Sequence, residues 1–509
     1  MSRYLILLFL GFLFHYSFAQ ESFPSKGLTL NDHDKVAIVN ANIWIDAKTS
    51  LSNANVLIIK NKISAVGTDL KIPKGFRVVD MNNKYLYPSF IDLFSNYGMD
   101  TLKSYKVLNS GTRYWNRAIH PEYNACENLK INFKKAKTLR SMGFGLVLTH
   151  KTDGIARGTA SLVSLGNKRP HLETIRERSA LCFSFKKGHS GVHYPGSYMG
   201  SIALLRQSLY DALWYKNNKK KGIEKNQSLE AYNNSMGLKM LMQASTNLDL
   251  NNIQKISKEF NLSFIVKGSG HEYKIIDELK TSDLKLIIPI NMPKAPKISS
   301  SYDIFSTNLK TLKHWENAQD NLMTLKKENI AFSITSHGNK TAKGFWKNLR
   351  SIYQSGLSEG EIIEALTIIP SGYIGEEKSI GSISKDKYAN FLVFDKPLFA
   401  KNSLLLENWV QGVRYITNKE KPKLEGLYDL DLGLYEFRFS IKDTLGKLKT
   451  TLLLDGKKKP VQLFQEHGLV NLKFKADSFN FLLSGHIKDG SWEGQWADKD
   501  GNWLSWSAK

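Results

Sequence analysis

Four side chains in the segment 149–158 have types that do acid–base or binding chemistry: His150, Lys151, Asp153 and Arg157. The segment directly follows an apolar run, and groups placed after a strand are often presented to a ligand by a rigid scaffold. A histidine beside a carboxylate can move protons near neutral pH, and lysine and arginine can hold an anion. An ordinary polar loop is the alternative for each of them.

Two histidines, His189 and His193, have the i, i+4 spacing that brings two metal ligands to one face of a helix. Gly188, Gly191 and Pro195 surround them, however, and such residues disfavour a helix here. Two ligands also do not complete a zinc site, which typically takes about three or four from the protein. We therefore predict polar loop residues, with a metal at this pair as the alternative.

Further polar side chains follow short apolar runs and are candidates for the same pocket. They are Gln243, Lys267, His271, Glu272 and His337. A polar residue without a function is the alternative for each one. The sequence contains no complete nucleotide-binding glycine loop and no Gly-x-Ser-x-Gly motif. Cys126 and Cys182 are too few for a disulfide framework or a zinc motif, so a single bridge and two free thiols both stay open.

Short apolar runs of strand length alternate with helical stretches over residues 88–375, and this alternation predicts an α/β barrel. In such a barrel the carboxyl ends of the strands meet at one end, so the polar residues above would converge there. The predicted strands are 144–149, 238–242, 264–266, 286–290 and 330–334, and the predicted helices are 252–260 and 358–367.

Sequence typical of β-structure flanks this barrel on both sides. Residues 35–87 and 376–422 hold short strands with close turns, and we predict one composite β-sandwich built from both segments. Residues 425–509 include strictly alternating apolar and polar runs, which are typical of half-buried antiparallel strands. The predicted fold class is therefore α/β: a distorted (β/α)8 TIM-like barrel inserted in a small β-sandwich, followed by an all-β C-terminal region.

The C-terminal region also holds four tryptophans close together in sequence, at Trp492, Trp496, Trp503 and Trp506. Tryptophans on strands pack in cores or hairpins more often than they form platforms for sugars. Core packing is therefore the prediction, and carbohydrate binding through Trp492 and Trp503 is the alternative hypothesis.

The chain of 509 residues carries 71 Lys and Arg against 47 Asp and Glu, a formal net charge of +24. The excess is mostly lysine and is spread along the sequence, with dense runs at 219–221 and 457–459 beside loop-forming residues. Arginine, the better reader of bases, is sparse, so we predict no nucleic-acid partner. Attraction to an anionic cell-envelope surface is the milder consequence of the charge.

The N-terminal residues have the pattern of a secretory signal peptide. Arg3 precedes the apolar run 4–18, and a small-x-small cleavage site ends at Ala19. We predict a signal peptide over 1–19 and an exported protein, periplasmic or secreted. An uncleaved anchor is the alternative, although the run is short for a span. No later segment predicts a membrane span.

The segment 87–96, Tyr-Pro-Ser-Phe-Ile-Asp-Leu-Phe-Ser-Asn, resembles the first-strand motif of the amidohydrolase superfamily, Pro-Gly-Phe-Ile-Asp-x-His-x-His. Three further blocks resemble the same superfamily: 36–44 its opening strand pair, 356–367 its last barrel helix and 381–395 its closing strand pair. The resemblance ends before residue 425. It implies a small sandwich around a distorted barrel, and the chain is similar to the first module of long exported members that carry two modules.

By this resemblance, the superfamily's hydrolysis of carbon–nitrogen bonds uses a metal held by histidines on strands one, five and six and an aspartate on strand eight. The matched positions in this sequence are Phe94, Asn96, Gln243, Lys267 and His337. Phenylalanine cannot ligate a metal, and a neutral amide is a poor zinc ligand. We therefore predict no metal and no other cofactor. Zinc or another divalent ion is the alternative if the strands are misaligned.

Two hypotheses for function follow from the resemblance. The first is an exported hydrolase of non-peptide amide or related carbon–nitrogen bonds. Its candidate residues at the barrel mouth are His150, Lys151, Asp153, Arg157, Gln243, Lys267 and His337. The second is a non-catalytic binding or scaffold module of the cell envelope, a pseudoenzyme with the same fold. The partners considered are a small-molecule ligand, a second amidohydrolase-like module after Lys509, and a second copy of the chain.

Overall fold

The computed structural model describes residues 35–100, 111–218, 222–296, 299–418 and 424–509, with short gaps at 445–446, 455–456, 467–468, 477–478 and 489–490. The predicted signal peptide 1–19 and the lysine run 219–221 lie outside the described residues. The chain divides into two compact units. The barrel unit comprises the described residues up to Phe394 together with Glu407–Thr417, and the C-terminal unit comprises Asp395–Leu406 and Asn418–Lys509.

The described residues between 35 and 416 contain strands that form two sheets, each with both parallel and antiparallel neighbours. The strands are β1 (Lys35–Trp44), β2 (Ser50–Ile59), β3 (Lys62–Gly67), β4 (Arg77–Asp80), β5 (Tyr85–Pro88), β6 (Phe90–Ser95), β7 (Phe144–Thr149), β8 (Ala156–Ser164), β9 (Thr174–Ser184), β10 (Lys239–Gln243), β11 (Phe264–Lys267), β12 (Lys285–Pro289), β13 (Phe332–Thr335), β14 (Phe391–Phe394), β15 (Leu405–Val410) and β16 (Val413–Ile416).

Helices follow most of the strands of the barrel. They are α1 (Phe133–Ser141), α2 (Pro170–Glu173), α3 (Tyr198–Asn218), α4 (Gln227–Ser235), α5 (Asn247–Phe260), α6 (Ile276–Lys280), α7 (Ser301–Ser306), α8 (Leu309–Asn317), α9 (Asn321–Lys327), α10 (Ala342–Gln354), α11 (Glu359–Leu366) and α12 (Ile368–Ile374), with a short 3-10 helix at Glu272–Lys274.

The first sheet unites the two β segments that flank the barrel. Its strand order is β16-β15-β14-β5-β1-β2-β3, and β4 pairs with β1. The decisive link is the antiparallel pairing of β14 with β5, in which Phe391 lies opposite Pro88. The sequence predicts a small sandwich, whereas the hydrogen bonds join the described strands into one eight-stranded sheet. Its apolar side chains share one core, in which the Phe391 and Trp409 rings stack 5.2 Å apart.

The second sheet has the order β13-β12-β11-β10-β9-β8-β7-β6 and forms the wall of the barrel. Its described strands run parallel to their neighbours except β8, which is antiparallel to both β7 and β9. The two ends of this order meet where the Thr335 hydroxyl of β13 donates to the Asp92 carboxylate of β6, at 2.6 Å. The chain therefore forms a distorted α/β barrel with one reversed strand.

Side chains along these strands are buried on both faces, as expected for a sheet covered by helices outside and by its own core inside. All six residues of β6 and all six of β7 are buried. The helices carry local start signals. For α11, the Ser358 side chain accepts from the Glu361 amide while the Glu361 carboxylate accepts from the Ser358 amide. This capping box fixes the first turn of the predicted last barrel helix.

One segment differs from the sequence-based expectation. Residues 149–158 are predicted as a loop after a strand, but the chain forms strand β8 from Ala156, so Arg157 is a strand residue. All nine residues of β8 are buried although most are small or polar. The alternation rule missed this strand because both of its faces are covered.

The C-terminal unit contains a closed antiparallel β-barrel. Its described strands are β17 (Gly426–Asp431), β18 (Glu436–Thr444), β19 (Lys447–Leu454), β20 (Lys457–Glu466), β21 (Leu469–Ala476), β22 (Phe479–Lys488), β23 (Ser491–Ala497) and β24 (Trp503–Ala508). Trp492, Trp496 and Trp506 are buried in its core. Trp503 is 70% exposed. Of the two tryptophans in the carbohydrate hypothesis, only Trp503 can therefore contact a ligand, and the assignment of Trp492 is wrong.

Two further features bear on the predictions. Both cysteines are free thiols, Cys126 partly exposed and Cys182 buried. Among the described residues, no helix combines the length and the apolar character that crossing a bilayer requires.

Candidate functional site

A cavity of about 640 Å³ opens at the carboxyl ends of the parallel strands, and we call it the mouth cavity. Phe94 and Asn96 from the end of β6, Gln243 from β10 and His337 after β13 all line it. Arg157 joins them from the start of β8. Because β8 runs antiparallel to its neighbours, it begins at the end of the barrel where they finish. The barrel topology thus brings together residues that are distant in sequence.

The ring of Phe94 occupies the centre of this arrangement. It packs edge-to-face against His150, with ring centroids 4.7 Å apart, and against His337 at 5.1 Å. The Lys267 ammonium lies 5.8 Å from the Phe94 ring centroid, at a distance suited to a cation–π contact. Phe94 is only 2% exposed, so a buried apolar ring contacts three basic side chains.

His150 lies fully buried beside Phe94 and is neutral in the folded protein. Burial, together with the charges of Arg157 and His337, lowers its pKa to about 3. The Leu148 backbone is near the ring, but neither ring nitrogen makes a hydrogen bond of normal geometry within the described residues. An unpaired polar group in a buried position destabilises the fold.

His337 lines the mouth cavity, whereas Lys267 contacts the Phe94 ring without lining the cavity itself. Desolvation by its surroundings, then the charge of Lys267, lowers the pKa of His337 to about 4, although the residue remains partly exposed to solvent. Lys186 and Arg157 act on His337 in the same direction. Burial lowers the pKa of Lys267 to about 8. Desolvation first, and then neighbouring positive charge, therefore disfavours the charged forms of both side chains.

Two hydrogen-bonded pairs fix the opposite wall. The Arg157 guanidinium donates to the Gln243 amide oxygen at 2.7 Å and to the Gly154 carbonyl at 3.0 Å. The Asp153 carboxylate pairs with His189, accepting from its amide at 2.8 Å and contacting its ring nitrogen at 2.9 Å. The arginine is thus held rigidly, and the carboxylate of this wall already has a partner.

The rim near β6 is formed by Asn96 and a lysine from the first barrel helix. The Lys135 ammonium donates to both the backbone and the side-chain oxygen of Asn96. Asn132 caps this helix by accepting from the Lys135 amide at 2.9 Å, which sets the direction of the helix at the cavity. Sequence reasoning did not find Lys135, because its place at the mouth depends on the packing of α1.

Below the cavity lies a buried carboxylate that the sequence analysis did not select as functional. Asp92 accepts from the Thr335 hydroxyl, from the amide and hydroxyl of Ser336, and from the Phe94 amide. Burial raises the pKa of Asp92, and these hydrogen bonds oppose that shift. Asp92 belongs to the same strand motif as Phe94, and that motif was the signal that could have revealed it. Its role is to fasten β6 to β13.

The comparison with solved structures identifies this architecture. An amidohydrolase from Thermotoga maritima MSB8 aligns with a TM-score of 0.60 and 18% identity, covering 75% of this chain and 99% of that chain. The chain has the amidohydrolase fold. A β-aspartyl dipeptidase from Fervidobacterium islandicum AW-1 is more distant, with a TM-score of 0.46, 13% identity, and coverage of 77% of this chain and 100% of its own. A scan against protein-family models and a search of curated proteins find no match.

The amidohydrolase fold implies a catalytic metal, so its fit to these residues can be tested. Phe94 fills the centre of the mouth with an apolar ring, Lys267 presents an ammonium and Gln243 accepts from Arg157. In the described part of the chain, no three His, Cys, Asp or Glu side chains are grouped to hold a metal. Amides, ammonium groups and phenyl rings are not zinc ligands. The residues present do not fit the metal.

The remaining candidates from the sequence lie apart from the mouth cavity. The Lys151 ammonium sits 5.2 Å from the centre of the Tyr123 ring, outside the residues that line the cavity. His193 is exposed on a loop before α3, so it does not share a helical face with His189. Neither residue lines the mouth cavity.

His271 and Glu272 belong to a neighbouring region of the barrel unit. His271 stacks on His314 with ring centroids 3.9 Å apart, and both line a separate cavity of about 250 Å³. Glu272 is fully buried and accepts from the amides of Ser269 and Gly270 and from Asn321. Its hydrogen bonds hold the turn after β11, which is a structural role.

Proposed function

We propose that the barrel unit is a metal-independent binding module that takes a small carboxylate-bearing molecule at the mouth cavity. The observation that supports it is the position of Phe94, whose ring contacts both His150 and His337 where the fold would otherwise gather metal ligands. This supports the binding-module hypothesis over the metal-dependent hydrolase.

Charge indicates the class of ligand. Arg157, Lys186 and Lys267 all depress the pKa of His337, so each projects positive charge into the same space. Asp153 is the carboxylate among the described residues that line this cavity, and it pairs with His189. An anion bound here would relieve the repulsion, and buried or partly buried charge pairs are screened less than surface ones.

The guanidinium of Arg157 is held in a fixed orientation and gives the cavity a directional hydrogen-bond donor. Arg157 uses two of its N–H groups on Gln243 and Gly154, which locks the plane of the guanidinium without neutralising it. A planar fork of this kind matches a carboxylate, and a preorganised donor loses little entropy on binding. Because a bound anion favours the charged imidazole, binding would also raise the pKa of His337 and draw in a proton.

Calorimetry with succinate as the probe and succinamide as its uncharged analogue tests this proposal. We expect succinate to bind and succinamide not to bind. Lys186→Met should weaken succinate binding by at least about tenfold, or roughly 1.4 kcal/mol. Lys134→Met, at an exposed lysine that does not line the cavity, is the matched control and should bind normally. Equal heats for both probes would overturn the proposal.

The fold favours a second candidate function, hydrolysis of carbon–nitrogen bonds without a metal. His337, with a pKa of about 4, is neutral at pH 7 and could accept a proton, while Lys267, with a pKa of about 8, is mostly charged there and could stabilise a developing negative charge. Amine release from N-acetylated amino acids, unaffected by EDTA and lost in Lys267→Met, would support this candidate. No release by the wild-type protein would exclude it for these substrates.

We also propose that the protein acts outside the cytoplasm, on the strength of the signal-like residues 1–19. Intact mass of the protein recovered from its native cells tests this, since cleavage after Ala19 would remove those residues. An intact N-terminus in a cytoplasmic fraction would contradict it.

A further inference from the structure

The outer surface of the C-terminal barrel carries a groove of about 810 Å³, built mainly on β22, β23 and β24. Side chains alternate along these strands, so Trp506 points into the core while Trp503 and Ser505 face outward. Ser505 lies opposite Gln495, and Glu493 lies opposite both His486 and Ser507. We call this surface the Trp503 face.

Trp503 supplies a broad aromatic surface at one end of the face. Its side chain is 70% exposed, which is uncommon for a tryptophan because the ring is large and mostly apolar. The next outward positions along β24 are Ser505 and Ser507, which are short and leave a trough beside the indole. Successive outward residues on a strand are roughly 6.6 Å apart. The trough can therefore hold an extended chain of rings alongside the indole.

The floor of the trough is polar and has free hydrogen-bonding capacity. Within the described residues, the side chains of His486, Glu493 and Gln495 make no hydrogen bond to another side chain or to the backbone. They lie on adjacent strands, where Glu493 pairs in register with His486. Carboxylate, amide and imidazole groups together donate and accept, which suits hydroxyl groups that do both.

The charge of the face selects against acidic ligands. Among the described residues, the groove is lined by Asp431 and Glu493 and by no lysine or arginine, although the chain carries a net charge of +24. A polyanion such as nucleic acid or an acidic polysaccharide would be repelled by these two carboxylates. The exposed indole and the polar side chains beside it favour a polar, ring-shaped ligand without negative charge.

We propose that the Trp503 face binds a neutral polysaccharide, with one sugar ring stacked on the Trp503 indole and neighbouring hydroxyls bonded to Gln495 and Glu493. An aromatic ring next to hydrogen-bonding side chains matches the apolar face and polar edge of a pyranose. This site lies in the C-terminal unit and is independent of the mouth cavity.

Affinity electrophoresis of the full chain in gels containing laminarin, galactomannan, xylan or hydroxyethylcellulose tests the proposal. We expect at least one of these neutral polysaccharides to retard the wild-type protein. Trp503→Ala should abolish the retardation, whereas Trp503→Tyr, which keeps an aromatic ring, should retain part of it. Gln495→Ala should weaken the retardation severalfold.

The matched control is Phe464→Ala, which removes an aromatic side chain that is 61% exposed on the same barrel but lies outside the groove. It should migrate like the wild type in every gel. The proposal is overturned if none of the four polysaccharides retards the protein, or if Trp503→Ala and Phe464→Ala reduce retardation equally. Circular dichroism of each variant separates loss of binding from loss of folding.

Discussion

The ring of Phe94 meets the ring of His337 edge-on, with 5.1 Å between their centroids and 74° between their planes. The same ring also meets the ring of His150, with 4.7 Å between centroids. A phenyl group thus contacts two imidazoles at the carboxyl end of a barrel. Two imidazoles that share one zinc ion have ring centres roughly 5 Å apart, since each Zn–N bond is about 2.0 Å. The Phe94 ring therefore lies at the distances from His150 and His337 that a metal-binding imidazole would have, but a phenyl ring cannot bind a metal.

Replacing this one side chain should create a metal site. We expect wild-type protein dialysed against zinc and then against buffer to retain less than about 0.1 equivalent. Phe94→His should retain about one equivalent, because the new imidazole would lie 4.7 and 5.1 Å from the rings of His150 and His337, which is the spacing of imidazoles that share one zinc ion. Elemental analysis by plasma mass spectrometry measures both.

The control for this gain is Phe94→His combined with His150→Leu, which removes one of the three imidazoles. That variant should lose the zinc again. If wild-type protein held a full equivalent, the assignment of the mouth cavity as metal-free would be wrong. If Phe94→His bound none, the imidazoles would not converge as the ring positions indicate.

Lys267 should destabilise the folded protein at neutral pH. Burial lowers its pKa from 10.5 to about 8, so the folded state disfavours the charged form. Below pH 8 the lysine is charged in both the folded and the unfolded state, so burial of its charge destabilises the folded state by the full amount. This destabilisation decreases as pH rises from 8 towards 10.5. Lys267→Met should therefore raise the free energy of unfolding at pH 7 by up to about 3 kcal/mol. Urea denaturation at pH 7 and pH 10 measures the difference.

Lys134→Met provides the comparison, because Lys134 is exposed and does not line the mouth cavity. It should change stability by less than about 0.5 kcal/mol at either pH. A gain from Lys267→Met that stayed the same at pH 10 would show that packing, not charge, is responsible.

The order of strands and helices could be predicted from the sequence because each block carries its own signal. The largely apolar run of β7 and the capping box at Ser358 are examples, and the structure has both where the sequence places them. Convergence of Phe94, Gln243 and His337 could be predicted too, since parallel strands end on the same side of a barrel.

Other features of the site depend on contacts that no local pattern encodes. Strand β8 is small and polar, and its burial arises from neighbours on both faces. The closeness of His150 to Phe94 depends on how β6 and β7 pair, where a register shift follows Asp92. Lys135 reaches Asn96 only because α1 packs beside the mouth. These are tertiary effects, which override local propensity.

The buried imidazole of His150 should make the protein sensitive to acid. Its pKa falls from 6.5 to about 3 on folding. Between these two pH values the unfolded chain therefore binds a proton at His150 and the folded chain does not. This contribution to stability is complete above pH 6.5 and is lost as pH falls towards 3, by up to roughly 4 kcal/mol. His150→Leu should flatten this part of the stability profile, measured by urea midpoints from pH 7 to pH 4.

His150→Leu should also gain stability at pH 7, by about 1 kcal/mol or more, because it removes two ring nitrogens without hydrogen-bond partners among the described residues. His193→Leu is the control, since His193 is exposed and should leave the profile unchanged. Parallel profiles for wild type and His150→Leu would show that folding does not lower the pKa of His150.

Asp92 should be the side chain of the mouth region whose removal costs most. Its carboxylate accepts from the Thr335 hydroxyl at 2.6 Å, from the Ser336 amide at 3.1 Å and from the Phe94 amide at 3.0 Å. Asp92→Ala leaves these buried donors unpaired and detaches β6 from β13, so the free energy of unfolding should fall by about 3 kcal/mol or more. Asp92→Asn keeps the shape and one acceptor oxygen, and should lose about half as much. Urea denaturation compares the two variants, and losses of equal size would mean that the negative charge, rather than the number of acceptors, joins the two strands.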